Sequence, residues 1–425
     1  MPFTLQAIFW GVITLSIVVF LHEGGHFLAA RAFGLRVHEF MFGLPGPKLS
    51  FKRGDTRYGV TAIPFGGYTK IAGMDGDIQN ENLQAALTFV TRAGQPLSAA
   101  QVAEACEIDD ADEAKIILNT LVDWFALKYD EAHKTWSSVL DPQLADNPDE
   151  LFSKAKEHTY LALPFWKRAV ILLAGIVVNI VFALLVFTVV LSVWGQAVVL
   201  NKIEPVKGGP AIEAGLKKDD RIIKINNKKI ATFDDITAAV SHLHPGDRIT
   251  VFYVSSDSSK TQVATTLTLG KNPANTKIGY LGIEAIPEQQ RLSLPHAAGQ
   301  SFSYVKMTVQ GILGFFTPGK FTQSVNNSAS IVGISVIAAD AAKAGGVDYS
   351  WLVAAISLSL GLMNLLPIPP LDGGKVIVEA IEAIRRKPLS LKANASVSAV
   401  GLLLLVTFMI YVMGHDIFRL TKLGG

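Results

Sequence analysis

A chain of 425 residues of which 50% are hydrophobic and only 17% charged, with mean hydropathy +0.35, is too apolar for an ordinary soluble protein of its size. Its formal charge of +2 implies no general attraction to nucleic acid or anionic surfaces. The single cysteine, Cys106, excludes an internal disulfide framework and any cysteine-rich metal cluster. We therefore expect a polytopic α-helical membrane protein with about four transmembrane helices and soluble parts between them.

The first region, 1–35, opens with a run from Phe3 to Leu21 that carries no charge. It lacks a basic n-region and a small-residue cleavage site, so it reads as a retained span and not a removed signal. The run ends in His22-Glu23-Gly24-Gly25-His26. Positions i and i+4 share one face of a helix, so His22 and His26 can hold one metal ion while Glu23 lies close enough to activate a bound water. Ordinary solvated helices carry this pattern by chance. The membrane setting sharpens it, because a carboxylate near mid-bilayer costs roughly 2.5 to 3.5 kcal/mol and a metal offsets that cost. Arg31 and Arg36 follow, and by the positive-inside bias this end is cytoplasmic and the N-terminus outside.

Over 36–74 the pattern alternates in short runs, Val37 to Phe42, Leu49 to Arg53 and Arg57 to Ile63, broken by Gly43-Leu44-Pro45-Gly46-Pro47 and Gly54-Asp55. Turn residues between alternating runs predict hairpin strands. A small membrane-associated sheet there is either a substrate clamp, since a sheet edge can pair with an extended peptide, or a plain connector.

Residues 81–150 read as a soluble insert with helices near Leu83 to Thr91, Ser98 to Ala105 and Asp112 to Phe125, a strand at Ala126 to Tyr129, a turn at Asp130 to His133 and a returning Thr135-Trp136. That order is similar to a small α/β winged-helix module. With 14 Asp and Glu against 4 Lys and Arg, a net charge of −10, it would repel phosphates, so a protein regulator and not nucleic acid is the expected partner.

Lys167 and Arg168 introduce a second span, 166–199, which makes the insert cytoplasmic; Asn179 within it is a buried polar group serving either helix packing or active-site support. Residues 200–290 are soluble and β-rich. Their Pro210 to Leu216 and Asp220 to Asn226 runs resemble a PDZ domain of the rearranged bacterial type, with Asp219-Asp220 where Gly-Asp is usual. Residues 292–347 are too broken for spans and suggest amphipathic helices at the outer interface. A third span, 349–376, ends in Asn364-Leu365-Leu366-Pro367-Ile368-Pro369-Pro370-Leu371-Asp372-Gly373-Gly374. Prolines that break a helix at membrane depth mark a site, and Asp372 can supply a third metal ligand. Lys375, Arg385, Arg386 and Lys387 mark cytoplasm again, and a fourth span, 394–414, returns the C-terminus outside. His22, His26 and Asp372 thus arrive on the same side of the membrane.

On these residues, with the Ile63 to Tyr68 hairpin end and the Ala174 to Asn179 stretch, the chain resembles the bacterial site-2 proteases, intramembrane zinc metalloproteases of the inner membrane that cut membrane-bound anti-sigma factors. The resemblance implies one catalytic Zn2+ on His22, His26 and Asp372, Glu23 as general base, and substrate contacts from Asn364, Gly66, Gly67 and Tyr68. It also implies single-span membrane substrates, an upstream protease that cuts first, and an extracytoplasmic PDZ domain acting as size filter or docking site. The acidic insert is foreign to it. The family's second-span pattern has Pro where Ile176 stands. A transporter would show repeated halves, which are absent; a catalytically silent scaffold or trafficking partner on the same fold would have lost a ligand or the base.

Overall fold

The computed structural model describes residues 3–63, 66–74, 82–257, 261–273, 277–387, 389 and 391–423. Pro64 and Phe65 of the expected hairpin end, Glu81 at the expected start of the insert, and the first two residues of the chain lie outside them. The chain divides into two compact units, Met1–Phe187 with Ala298–Gly425, and Thr188–Ala297.

The uncharged N-terminal run forms α1, Phe3–Ala32. Four strands follow: β1 (Val37–Phe42), β2 (Lys48–Arg53), β3 (Thr56–Thr61) and β4 (Gly67–Ile71). They form one sheet in the order β2-β3-β1-β4. Only β2 and β3 make a hairpin of neighbours, turning at Gly54 with φ +63; β1 runs parallel to β3 and antiparallel to β4. The expected succession of simple hairpins is therefore corrected. The segment between β1 and β2 contains Pro45 and Pro47, which lack ladder donors, and it carries the chain across to the far edge of the sheet instead of turning it back.

The insert comprises α2 (Asn82–Ala93), β5 (Leu97–Ser98), α3 (Ala99–Ala105), α4 (Ala111–Asp123), β6 (Leu127–Asp130), β7 (Thr135–Ser138) and α5 (Pro148–Lys156). A capping box between Ser98 and Gln101 starts α3, and the Asp110 carboxylate accepts from Glu113 N at the start of α4. The strands pair as β5-β7-β6, and Leu87, Val90, Leu118, Leu121, Trp124 and Trp136 share one core. That core also holds Leu151 and Ala155, so the module extends beyond the expected boundary at 150. Asn147 as N-cap and Pro148 in the first turn are an ordinary helix start, which the charge count alone does not register.

The module's two ends are tied together. Ala72 N donates to Arg36 O, Arg36 N to His158 O and Tyr160 N to Ala72 O. The second long helix, α6 (Phe165–Val193), follows.

The unit Thr188–Ala297 contains β8 (Gln196–Val198), β9 (Ile203–Pro205), α7 (Pro210–Glu213), β10 (Arg221–Ile225), β11 (Lys228–Lys229), α8 (Phe233–Val240), β12 (Arg248–Val254), β13 (Gln262–Thr268), β14 (Gly270–Lys271), β15 (Gly279–Tyr280), β16 (Ile283–Ala285) and β17 (Glu288–Gln290). Its main sheet is β11-β10-β12-β13, with Ile222, Ile225, Ile236, Val251 and Leu267 in the core. Asp219 has φ +71, the conformation for which glycine is the usual solution; aspartate tolerates it, and its carboxylate pairs with Lys202 at 2.8 Å. Asp220 is fully buried and accepts from Lys217 N and Ser256 N, both at 2.8 Å.

The remaining helices are α9 (Leu294–Gly314), α10 (Phe321–Asn326), α11 (Ile331–Ala344), α12 (Gly346–Asn364), α13 (Asp372–Arg385) and α14 (Leu391–Leu423). At about 1.5 Å per residue α11 is too short to cross a bilayer. It packs along α1, where a Cβ on Gly11 would lie 2.1 Å from Ser335 Oγ. Part of 292–347 is thus helix packed onto the first span, and not free surface helix. Among the described residues four helices are long and apolar enough to cross a membrane: Leu5–Ala32, Phe165–Val193, Gly346–Asn364 and Ala393–Phe418.

Because the buried Asp220 carboxylate accepts from two backbone N–H groups, Asp220→Ala should lower the opening free energy of the 188–297 unit by about 2 kcal/mol. Amide hydrogen exchange within that unit measures it; protection unchanged from wild type would show that the two hydrogen bonds contribute nothing.

Candidate metal centre

His22 and His26 project from one face of α1, and Asp372 arrives from the far end of the sequence as the first residue of α13; all three are buried. His22 Nε2 lies 2.9 Å from Asp372 Oδ2, His26 Nε2 lies 3.3 Å from the same oxygen, and the two Nε2 atoms are 3.2 Å apart. A tetrahedral zinc with bonds of about 2.0 to 2.1 Å sets neighbouring ligand atoms about 3.3 Å apart, so the triangle has the right size.

The protons give a second test of fit. His26 Nδ1 lies 2.8 Å from the Ile171 carbonyl oxygen, which can only accept, so Nδ1 carries the hydrogen. In the neutral ring Nε2 then turns a lone pair toward Asp372, whose buried Oδ2 has no hydrogen-bond partner among the described residues. A lone pair facing a carboxylate oxygen at this distance is repelled, and a metal ion between them would relieve that repulsion. Two imidazoles and one carboxylate can hold a metal ion and leave a fourth position free.

Helix α6 orients both rings. Asn179 Nδ2 sits 3.5 Å from His22 Nδ1, while the buried Asn179 Oδ1 is without a partner. Turning the amide over sets Oδ1 against the ring N–H and satisfies both groups. Asn179 is itself gripped from α12, where Ser357 Oγ donates to its carbonyl at 3.1 Å.

This arrangement depends on backbones approaching without side chains. A Cβ on Gly175 would lie 2.7 Å from His26 Nε2, and one on Gly25 would lie 2.5 Å from the Ala174 carbonyl oxygen. Gly25 therefore serves the contact of α1 with α6, whereas a Cβ on Gly24 would meet only Phe40, at 4.0 Å. On the other side, the segment between α12 and α13 coils over the start of α13 so closely that a Cβ on Gly373 would lie 2.4 Å from Leu365 O and one on Gly374 2.3 Å from Pro369 N. Gly401 of α14 abuts the Pro369 carbonyl in the same way.

Glu23, half-buried, follows His22 directly, and its carbonyl accepts from Thr69 Oγ1 of β4 at 3.0 Å. β4 therefore runs alongside the turn of α1 that carries Glu23. Gly66 N donates to Ser16 Oγ at 3.1 Å, and Gly67 lies against Phe20. Tyr68 is committed elsewhere: its hydroxyl donates to Glu39 Oε2 at 2.5 Å, and burial together with that carboxylate pushes its pKa up to about 12. Asn364 is half-buried at the last turn of α12.

Sequence reasoning missed Ile171, Ser357, Thr69 and Gly401. The first contributes only its carbonyl and leaves no side-chain signal. Gly401 had one, being a glycine at the start of the Leu402 to Leu405 run within the fourth span.

The sequence matches Peptidase family M50 over residues 10–408. It is 28% identical over 415 residues to the zinc metalloprotease RasP of Shouchella clausii, covering 95% of this chain and 97% of that one. It is 29% identical over 432 residues to the metalloprotease MmpA of Caulobacter vibrioides, covering 95% and 94%. To the zinc metalloprotease RasP of Geobacillus kaustophilus it is 28% identical over 428 residues, covering 97% and 98%. Membrane-crossing helices around a two-histidine, one-carboxylate group define an intramembrane metallopeptidase. The chain belongs to peptidase family M50.

If α6 orients the rings, Asn179→Ala should weaken metal binding by about 10- to 100-fold, and Gly175→Ala should weaken it further by displacing His26. Titration against a chromogenic chelator reads both; full affinity in Gly175→Ala would mean that α6 is not seated on the histidines.

Proposed function

We propose that this chain hydrolyses peptide bonds within or next to transmembrane segments of single-span membrane proteins, with one zinc ion on His22, His26 and Asp372 and with Glu23 as general base. The observation that carries this is the convergence of three buried ligands from the two ends of an M50 chain, with a glutamate one residue from the first of them.

Bound zinc supplies Lewis acidity, acidifying a water and polarising a peptide carbonyl. Asp372 provides a negative ligand whose charge is favoured by the start of α13. Glu23 takes a proton from the attacking water and delivers it to the leaving amine. β4 is an edge strand, paired on one side by β1, so its outer edge offers backbone donors and acceptors to a substrate segment that has unwound. Gly67 adds no side chain to that edge, Gly66, held by Ser16 and Gly43, shapes the approach to it, and Asn364 holds the substrate backbone. Tyr68 acts through its main chain, since its hydroxyl is engaged with Glu39.

Residues 200–290 act as a PDZ-type filter or docking domain for substrates already trimmed by another protease. The sheet, the capped α8 and the turn at Asp219-Asp220 support that assignment. The insert, ordered helix, strand, helix, helix, strand, strand, is a winged-helix-type module; its net charge of −10 favours a protein regulator over DNA. We further propose an inner-membrane orientation with the insert cytoplasmic and both termini and the PDZ-type domain outside. The cations at Arg31, Arg36, Lys167, Arg168, Arg385 and Arg386 support it.

The test compares detergent-purified wild type with Glu23→Gln on a single-span substrate, with metal content determined for both. We expect equal zinc and a rate lowered by about 10²- to 10⁴-fold or more in the variant. Cleavage by Glu23→Gln at the wild-type rate would remove Glu23 from the chemistry, and a wild type without metal would remove the mechanism.

A further inference from the structure

One buried polar cluster near the site takes no part in the chemistry above. Tyr160, just past the insert, is 4% exposed and its hydroxyl donates to Glu379 Oε1 of α13. Arg168 of α6 faces the same carboxylate, Nε to Oε2 at 3.6 Å, and its guanidinium also lies 5.9 Å from the centre of the Tyr160 ring. The side chains of Arg168 and Glu379 are only 20% and 13% exposed. The facing atoms, Arg168 Nε and Glu379 Oε2, are both buried and neither makes a hydrogen bond among the described residues. Three groups are therefore held against one another where a looser arrangement would leave a charge stranded.

Their positions along the helices give the cluster its meaning. Glu379 stands seven positions after Asp372, two turns along the same face of α13. Arg168 stands three positions before Ile171, one turn from the carbonyl that orients His26 on α6. Along α13 the cluster lies about 10 Å from Asp372, by the rise of two helical turns, and along α6 it lies one turn from the carbonyl that orients His26. The start of α13 is fixed in depth by its packing under the proline loop, but packing of two glycines does little to fix its rotation about its own axis. A carboxylate two turns on, gripped from α6 and from Tyr160, does fix it, and with it the direction of the Asp372 side chain.

The third partner links this to the insert. Tyr160 N donates to Ala72 O, in the strip where the module's entry and exit are joined. The module's other anchor lies at Phe125 and shares Arg36 with that strip. Phe125, at φ +61 after α4, stacks on His38 of β1 with ring centres 4.2 Å apart, under the Arg36 guanidinium at 5.2 Å, and Lys70 of β4 pairs with Asp123 at 2.9 Å.

We propose that Glu379, gripped by Tyr160 and Arg168, is a positioning residue that aims Asp372 at the metal, and that Tyr160 is the point through which the inserted module bears on the metal centre. This rests on the metal reading proposed above. It makes the module a support of the site and a route by which a regulator bound to the module alters metal affinity.

The test uses the full chain in detergent, with Zn2+ affinity measured against a chelator and the visible spectrum of the cobalt-substituted protein as a report on ligand geometry. Tyr160→Phe removes one oxygen and Glu379→Gln is isosteric, so both variants should fold. Each should weaken Zn2+ binding by about tenfold and alter the cobalt spectrum, and the double variant should lose little more than the larger single. Phe125→Ala, which loosens only the module's other anchor, should bind Zn2+ within twofold of wild type. A merely structural cluster would lower thermal stability while leaving affinity and spectrum unchanged in both single variants, and that result overturns the proposal. So does a loss in Phe125→Ala as large as in Tyr160→Phe, which would make the effect general loosening. A wild type that binds no Zn2+ overturns instead the metal reading on which the proposal stands.

Discussion

The larger unit is built around one confrontation: two imidazole nitrogens and a carboxylate oxygen held within 3.3 Å of one another, the imidazoles on a helix long and apolar enough to cross a membrane. In water such a set would drift apart at little cost. Buried as they are, the groups are shielded from water, so their charges are eased by a cation between them, and a frame must hold them. A metal ion meets the first need. The second is met in large part by α6, which brings no ionisable group to the trio.

Helix α6 meets α1 through glycine against backbone, receives the His26 ring N–H on the Ile171 carbonyl, and brings Asn179 to His22. Each contact needs the others. The carbonyl can reach His26 only because Gly25 and Gly175 let the helices approach, and Asn179 stays aimed only because Ser357 holds its own carbonyl from α12. The polar groups specify orientation and the glycines specify distance. This division is what a buried site of fixed geometry demands when no solvent can correct an error.

The same division decides what the amino-acid sequence could reveal. His22, His26 and Asp372 are legible because ionisable side chains in apolar runs are costly and therefore conspicuous, and the prolines before Asp372 announce a break that needs protein around it. Phe3–Ala32 and Phe165–Val193 are legible as spans for the same reason. The module's helices show through their periodicity and caps. What stays hidden is of two kinds. Backbone groups such as the Ile171 carbonyl carry no residue identity. Long-range pairings, such as β1 parallel to β3, depend on where a proline-rich connection leads, and local pattern does not encode it. The cluster of Tyr160, Arg168 and Glu379 belongs to this second kind: its members stand in three unrelated stretches, and each alone reads as a solvated or interfacial side chain.

The way the module is grafted also bears on why it can matter to the site. A domain inserted by long flexible arms would be thermodynamically silent, since its motions would not reach the host. Here the entry and exit segments hydrogen-bond to each other and to Arg36 through Ala72, His158 and Tyr160, so the module is joined through a short, hydrogen-bonded neck. That neck sits between β1 and β4, the strands beside Glu23, and Tyr160, the residue that meets α13. Any ligand that stiffens or twists the module works against these contacts and against the second anchor, where Phe125 stacks on His38 and Asp123 pairs with Lys70. A rigid neck converts binding energy at a distant surface into strain at its base. The foot of the neck lies beside β4, which runs along the turn of α1 carrying Glu23, and beside Tyr160, which meets α13, so the insertion point sets the module against the elements that hold the buried trio.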